Sequence, residues 1–402
     1  MDEKKFLNEF YKMLSPVDAW DGEVSSLKEI FNAKIAKYGI TQNQAEKLLN
    51  MQKRSLEGIL DQSAKRVDVI NLLKLGQFLG LDVNALLKLY LNEVSPDLVG
   101  ELEDAKKKSF LLANFDIKNL FKSGFLQSKT DFVKIEKRIV DFFGLGSIFN
   151  YSNKYFIPAF SKIKKSEGSL MREFWIRSAY AHFETLNNPN EYNRKLLLDL
   201  IPKIRPYTLN VEKGLKTVTQ ALYHIGVTVI YQPHLPTTQV RGATFILRDQ
   251  PYIVLTDLNK NYASVWFALM HEIYHVLFHS DQIAAQVFHL TGETDLFLME
   301  DEANEFSRNY LLSEDRAKFI YGYIDNAMIV AKYAKEYQIH PSLIYNFYCF
   351  DAEKSGKGNF WGKYKSMLPD IKIALKDINV NSFENESIDV TVQYLNKHIF
   401  NI

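Results

Sequence analysis

The sequence predicts an α+β fold, mostly α, in four parts: a helical N-terminal domain over residues 23–95, a helical connector over 96–170, an α+β domain over 171–320, and a helical C-terminal region over 321–402. Three observations lead there. Apolar residues recur three and four apart through most of the chain, β-branched and aromatic runs replace that period only between about 227 and 256, and 402 residues exceed what one hydrophobic core usually serves.

Composition supports folded domains, with 47% apolar residues, 24% charged residues, 28 Phe and 22 Tyr. A net charge of +1 gives no global field for nucleic acid, so any DNA contact must come from a local patch. The single cysteine, Cys349, excludes an internal disulfide and a Cys-based zinc cluster, and fits a reducing compartment. The opening MDEKKFLNEF lacks the zones of a signal peptide, and no apolar run reaches the roughly eighteen residues of a membrane span. The expectation is a cytoplasmic protein with no membrane partner.

Gly39, Ile40 and Thr41 read as a loop ending in an N-cap, followed by a helix with Ala45, Leu48 and Leu49 on one face. Asn50 breaks it. Asn tolerates positive φ, so Leu49-Asn50-Met51 can turn tightly into a second helix over 52–60, with Leu56 and Ile59 inward. The stretch 96–170 is rich in Lys, Phe and Leu and carries no catalytic signature. Residues 171–225 continue helical up to Gly226. Three strands follow, over 227–231, 243–247 and 251–256, with a turn at Asp249-Gln250 before the third. Helices then resume over 262–279 and 298–312.

The helix over 262–279 contains His271-Glu272-Ile273-Tyr274-His275. Residues four apart share a helical face, so both imidazoles can hold one Zn²⁺ per chain, while Glu272, one step round, can take a proton from water at the metal. Chance does not explain the pattern: an accidental match in a chain of this composition is expected on the order of 0.01 times. The plainer alternative, two structural histidines on a buried helix, requires a polar partner inside the core for each ring.

A catalytic zinc usually has three protein ligands. Six positions after His275 stands Asp281 with no Gly before it, which excludes the metzincin arrangement. His279 is offset from the ligand face and reads as a residue supporting the site or packing beside it. The later segment Met299-Glu300-Asp301-Glu302-Ala303-Asn304-Glu305-Phe306 offers three glutamates. Glu300 lies four residues before Asn304, so a carboxylate ligand and an amide orienting an imidazole can share a face. Glu302 and Glu305 read as a solvated face, with Ala303 and Phe306 toward the core.

Here the chain resembles the ImmA/IrrE metallopeptidases, over about residues 226–313. Gly242, the strand over 253–256, HEIYHVLFH and EDEANEFSRNYLL match that family's pattern of strands, glycine-bearing loop, histidine helix and later glutamate motif. The resemblance implies a zincin-like domain with Glu300 as the third zinc ligand. Ile339-His340-Pro341 looks like a segment of relatives with an attached DNA-binding domain, which makes His340 a candidate transition-state donor, against the plainer role of a satisfied histidine at a helix N-terminus.

Residues 41–60 resemble a Cro/repressor-type helix-turn-helix, with Ala45, Leu49, Met51, Leu56 and Ile59 at its apolar positions; Glu46 and Asn50 depart from the usual small residue and glycine. On that pattern Gln52, Lys53, Arg54 and Glu57 line the recognition helix and face double-stranded DNA, the alternative being a small helical docking domain. The two resemblances together imply an endopeptidase that cuts a repressor or antitoxin-like protein to regulate transcription, with a homodimer left open. Strand 251–256 would align the substrate at a sheet edge. The competing expectation is a helix-turn-helix regulator or antitoxin-type protein whose zinc domain senses or binds partners without proteolysis.

Overall fold

The computed structural model describes residues 26–64, 66–93, 96–151, 167–258, 260–286, 288–290, 297–378 and 381–400. The chain divides into two units, residues 1–106 and 107–402, each with its own apolar core.

The first unit contains helices α1 Leu27–Tyr38, α2 Gln42–Leu49, α3 Lys53–Leu60, α4 Val69–Leu79 and α5 Val83–Glu93. A capping box of Thr41 and Gln44 starts α2, and Asn50 ends it in the left-handed region at φ 47°. Ala45, Leu49, Met51, Leu56 and Ile59 are all buried, together with Phe31 and Leu75. Leu48 departs from expectation, being 69% exposed. The eight-residue α2 buries only the stripe through Ala45 and Leu49, and Leu48 lies about 100° round from Leu49.

The division between units falls within α6, Pro96–Asn114. Helices α7 Ile117–Lys122, α8 Phe132–Phe143, α9 Glu167–Leu186, α10 Arg194–Ile204 and α11 Gly214–His224 follow in the second unit. The segments read as connector and C-terminal region share its core. Phe125 on the loop after α7 meets Phe174 of α9 at 4.9 Å and Phe383 near the C-terminus at 6.3 Å between ring centroids.

The sheet is mixed and four-stranded, in the order β1-β3-β2-β4, from β1 Thr228–Tyr231, β2 Gly242–Leu247, β3 Gln250–Leu255 and β4 Phe288–Leu290. The first three are the expected strands. The fourth, which pairs Thr244 with His289, was not foreseen, because three residues are too few to show an alternating pattern. The β2–β3 hairpin turns at Arg248 and Asp249, with φ 51° and 62°, one residue earlier than expected. A two-residue loop with both residues at positive φ matches the right-handed twist of its strands. Strand β3 lies between β1, in parallel, and β2, antiparallel, so it is interior and has no edge to offer a substrate.

Helix α12, Tyr262–Phe278, packs against β2 and β3 and along α14, Phe297–Leu312; the short α13, Ser280–Gln286, lies between these helices in sequence. Ser313 then starts α15, Glu314–Tyr321, followed by α16 Ala327–Glu336, α17 Pro341–Lys354, α18 Ile371–Leu375 and α19 Ile388–Leu395. Among the described residues, no helix is long and apolar enough to cross a membrane.

Candidate metal centre

The start of α12 is fixed by Asn261, whose side-chain oxygen accepts from Ala263 N–H at 2.9 Å and whose amide donates to Asn346 Oδ1 at 2.6 Å. From that anchor the helix runs through the core, and it presents His271 and His275 one turn apart, 1% and 0% exposed. Glu300 sits in the first turn of α14, 8% exposed, where the positive end of a helix favours a carboxylate.

These three residues converge. His271 Nε2 and His275 Nε2 are 3.0 Å apart, and Glu300 Oε1 lies 3.4 Å from the first and 3.3 Å from the second. A tetrahedral ion with bonds of roughly 2.0 to 2.1 Å separates its ligand atoms by about 3.3 to 3.4 Å, so the donors stand close to the corners such an ion requires. Among the described residues His271, His275 and Glu300 form a group that can hold a metal ion.

The surroundings orient the donors. His275 Nδ1 is 2.9 Å from His279 Nδ1, so with Nε2 of His275 turned to the ion, its Nδ1–H can donate to His279. Burial pulls the His271 pKa down, but a hydrogen bond to Glu300, the charges of Glu272 and Glu300, and the Asn304 side chain outweigh it, leaving the group above its ordinary value of 6.5. Nδ1 of His271 is buried without a well-formed hydrogen bond. The pocket thus favours positive charge, which a proton or a metal ion can supply.

Linkage gives this competition a sign. A raised pKa in the folded, metal-free chain stabilises it below 6.5, and that contribution is lost as pH rises through the raised value. Metal binding needs the neutral ring, so affinity rises across the same window, by up to about tenfold per pH unit for each proton displaced. The expected outcome is that the metal-induced increase in melting temperature grows from pH 6 to pH 8, as thermal unfolding with and without metal will show.

Glu272 is fully buried, and its Oε2 accepts a hydrogen bond of 2.7 Å from Thr244 Oγ1. Gly242 lies two residues before Thr244 on the same strand face. A Cβ at Gly242 would stand 2.6 Å from Glu272 Oε1, so the missing side chain is what leaves room for the carboxylate. Gly242→Ala should displace the Glu272 carboxylate with the three donors left in place, so metal content should stay unchanged in that variant. Thr244 was missed from sequence, where it reads as one more β-branched strand residue; only its two-residue spacing from Gly242 hints at a shared role.

The remaining expected site residues fall as follows. Glu302 and Glu305 are exposed, and Ala303 is buried. His340 is the N-cap of α17: its Nδ1 accepts from Ser342 N–H at 3.2 Å, and its ring packs on Tyr262 at the start of α12. Tyr262 precedes His271 by nine residues, about 13 Å along the helix, and His340 takes the plainer of the two roles weighed for it, a satisfied histidine at a helix N-terminus. Gln52, Lys53 and Arg54 are exposed on the first unit, and Glu57 is half-buried, paired with Lys53 at 3.7 Å. Compared with known proteins, the sequence matches no family model and no curated protein.

Proposed function

We propose that this chain is a zinc-dependent endopeptidase of the ImmA/IrrE type coupled to a helix-turn-helix DNA-binding domain, and that it cuts a repressor or antitoxin-like protein. The observation that carries the reading is the meeting of two imidazoles and one carboxylate at 3.0 to 3.4 Å, with a fully buried glutamate next to the first imidazole on the same helix. Two histidines and one carboxylate are a ligand set of catalytic zinc. When bound, zinc supplies Lewis-acid polarisation of water and of a peptide carbonyl.

His271, His275 and Glu300 would hold the ion, with His279 orienting the His275 ring and the Asn304 side chain beside His271. Glu272 takes the proton from the attacking water and passes it to the leaving amine. Thr244 holds that carboxylate in one rotamer, so the base is placed before substrate arrives. With β3 interior, an extended substrate pairs instead with β4, which among the described residues ends the sheet beside β2. The direct test is cleavage of a quenched fluorescent peptide library by the zinc-loaded chain and not by the chelated chain.

For the first unit, the supporting observation is electrostatic. Lys53 and Arg54 open α3, whose N-cap Gln52 makes no side-chain capping bond. Cations in the first turn oppose the helix dipole, and a phosphate there relieves both. Replacing Lys53 and Arg54 with Ala should weaken binding of duplex DNA by about 10- to 100-fold in gel-shift assays and flatten its salt dependence. Unchanged binding returns the unit to a protein-docking role.

A further inference from the structure

We propose that a pocket beside the start of α12 is a carboxylate-binding subsite that selects peptides with an acidic group close to the bond to be cut; this rests on the peptidase reading above. The pocket is lined by Arg241, Lys260, Ser264, Val265, Ala268 and Ile371, among others.

Its position ties it to the metal centre. Ser264, Ala268, His271 and His275 follow one another at spacings of four, three and four, so they lie along one face of α12. Ala268 and Ser264 precede His271 by about 4 and 10 Å along the helix axis. An extended peptide advances about 3.3 Å per residue, which places the pocket one to three residues from the scissile bond. Arg241 adjoins Gly242, against which the Glu272 carboxylate packs. The pocket therefore lies next in line to Glu272, along the same helix face and beside the same strand end.

Its chemistry follows from charge. Arg241 and Lys260 are both exposed, and neither side chain forms an ion pair among the described residues. Two carboxylates stand near the pocket in sequence: Asp257 Oδ1 accepts from His234 N–H at 2.9 Å, and Asp370 Oδ1 from Lys372 N–H at 2.9 Å. Two cations on one small pocket, with Ser264 beside them and apolar Val265 and Ala268 in its lining, suit a side chain with a short aliphatic stem and a carboxylate tip. The same chemistry accepts the α-carboxylate at the end of a peptide.

The test uses the full zinc-loaded chain and a library of quenched peptides randomised on both sides of the centre, in amidated and free-acid forms. Amidated peptides carrying Asp or Glu within three residues of the cut should be cleaved about tenfold faster than those with Asn or Gln, the scale of two partly exposed ion pairs. The double variant Arg241→Glu with Lys260→Glu should turn the preference toward Lys and Arg, and Arg241→Lys should keep it acidic. A preference confined to the free-acid library assigns the subsite to the peptide terminus. Cleavage without acid preference, or a preference that charge reversal does not move, overturns the subsite and leaves the peptidase standing. Binding of labelled Asp/Glu and Asn/Gln pools to zinc-loaded Glu272→Gln, followed by fluorescence anisotropy, separates the two ideas. Acid-selective binding without any cleavage by the unaltered chain sinks the peptidase and keeps the subsite, whereas equal binding of the pools ends the subsite.

Discussion

Glu272→Gln is expected to lower peptide cleavage by about 10²- to 10⁴-fold, the usual contribution of a positioned general base, while zinc stays bound at one per chain. The reasons are geometric. Gln has nearly the shape of Glu, so the space left by Gly242 still accommodates it, and its carbonyl oxygen can still accept from Thr244. None of the three metal donors changes. What is lost is the lone pair that takes the proton, because an amide nitrogen accepts none. The decrease should therefore fall on kcat rather than KM, as steady-state kinetics with metal analysis of the same sample will show. Unchanged biological activity in this variant would favour the sensor or antitoxin reading, in which a base beside the metal has no task.

Glu300→Ala should weaken zinc by about 10²- to 10³-fold. Structural four-ligand sites bind with an apparent 10–16 kcal/mol, so one ligand accounts for roughly 3 kcal/mol. The change also removes the group that does most to raise the His271 pKa, so the metal-free variant should lose part of its pH dependence of stability. Glu305→Ala serves as the comparison, since Glu305 is exposed on the same helix and, among the described residues, belongs to no donor group. Competition with a chromophoric chelator should separate the two variants, with Glu305→Ala within about twofold of the unaltered chain.

Much of this centre was legible in the sequence because helical spacing is local. His271 and His275 must share a face whatever surrounds them, and Glu300 with Asn304 repeats that relation on a second helix. The two stripes meet because α12 packs along α14, as the long apolar run of the first and Ala303 on the second suggested. The turn at Asn50 was legible for a similar reason, since few residues besides glycine adopt positive φ at low cost.

What escaped prediction depends on contacts distant in sequence. Whether a strand is interior or at an edge is decided by its partners, and the parallel pairing of β1 with β3 leaves no trace in either strand alone. Thr244 reaches Glu272 across 28 positions. Leu48 is apolar yet exposed because a short helix buries one narrow stripe, and composition does not reveal which. For His340 the sequence offered two roles, a donor at the metal and a satisfied histidine at a helix start, and the bond from Ser342 N–H to its Nδ1 shows the second.

The most direct measurement is X-ray absorption at the zinc edge on full-length protein purified without chelators. The proposed centre predicts one zinc per chain with two imidazole nitrogens and one carboxylate oxygen as protein ligands. A chain without stoichiometric metal, or a spectrum with no carboxylate contribution that Glu300→Ala leaves unchanged, would contradict it.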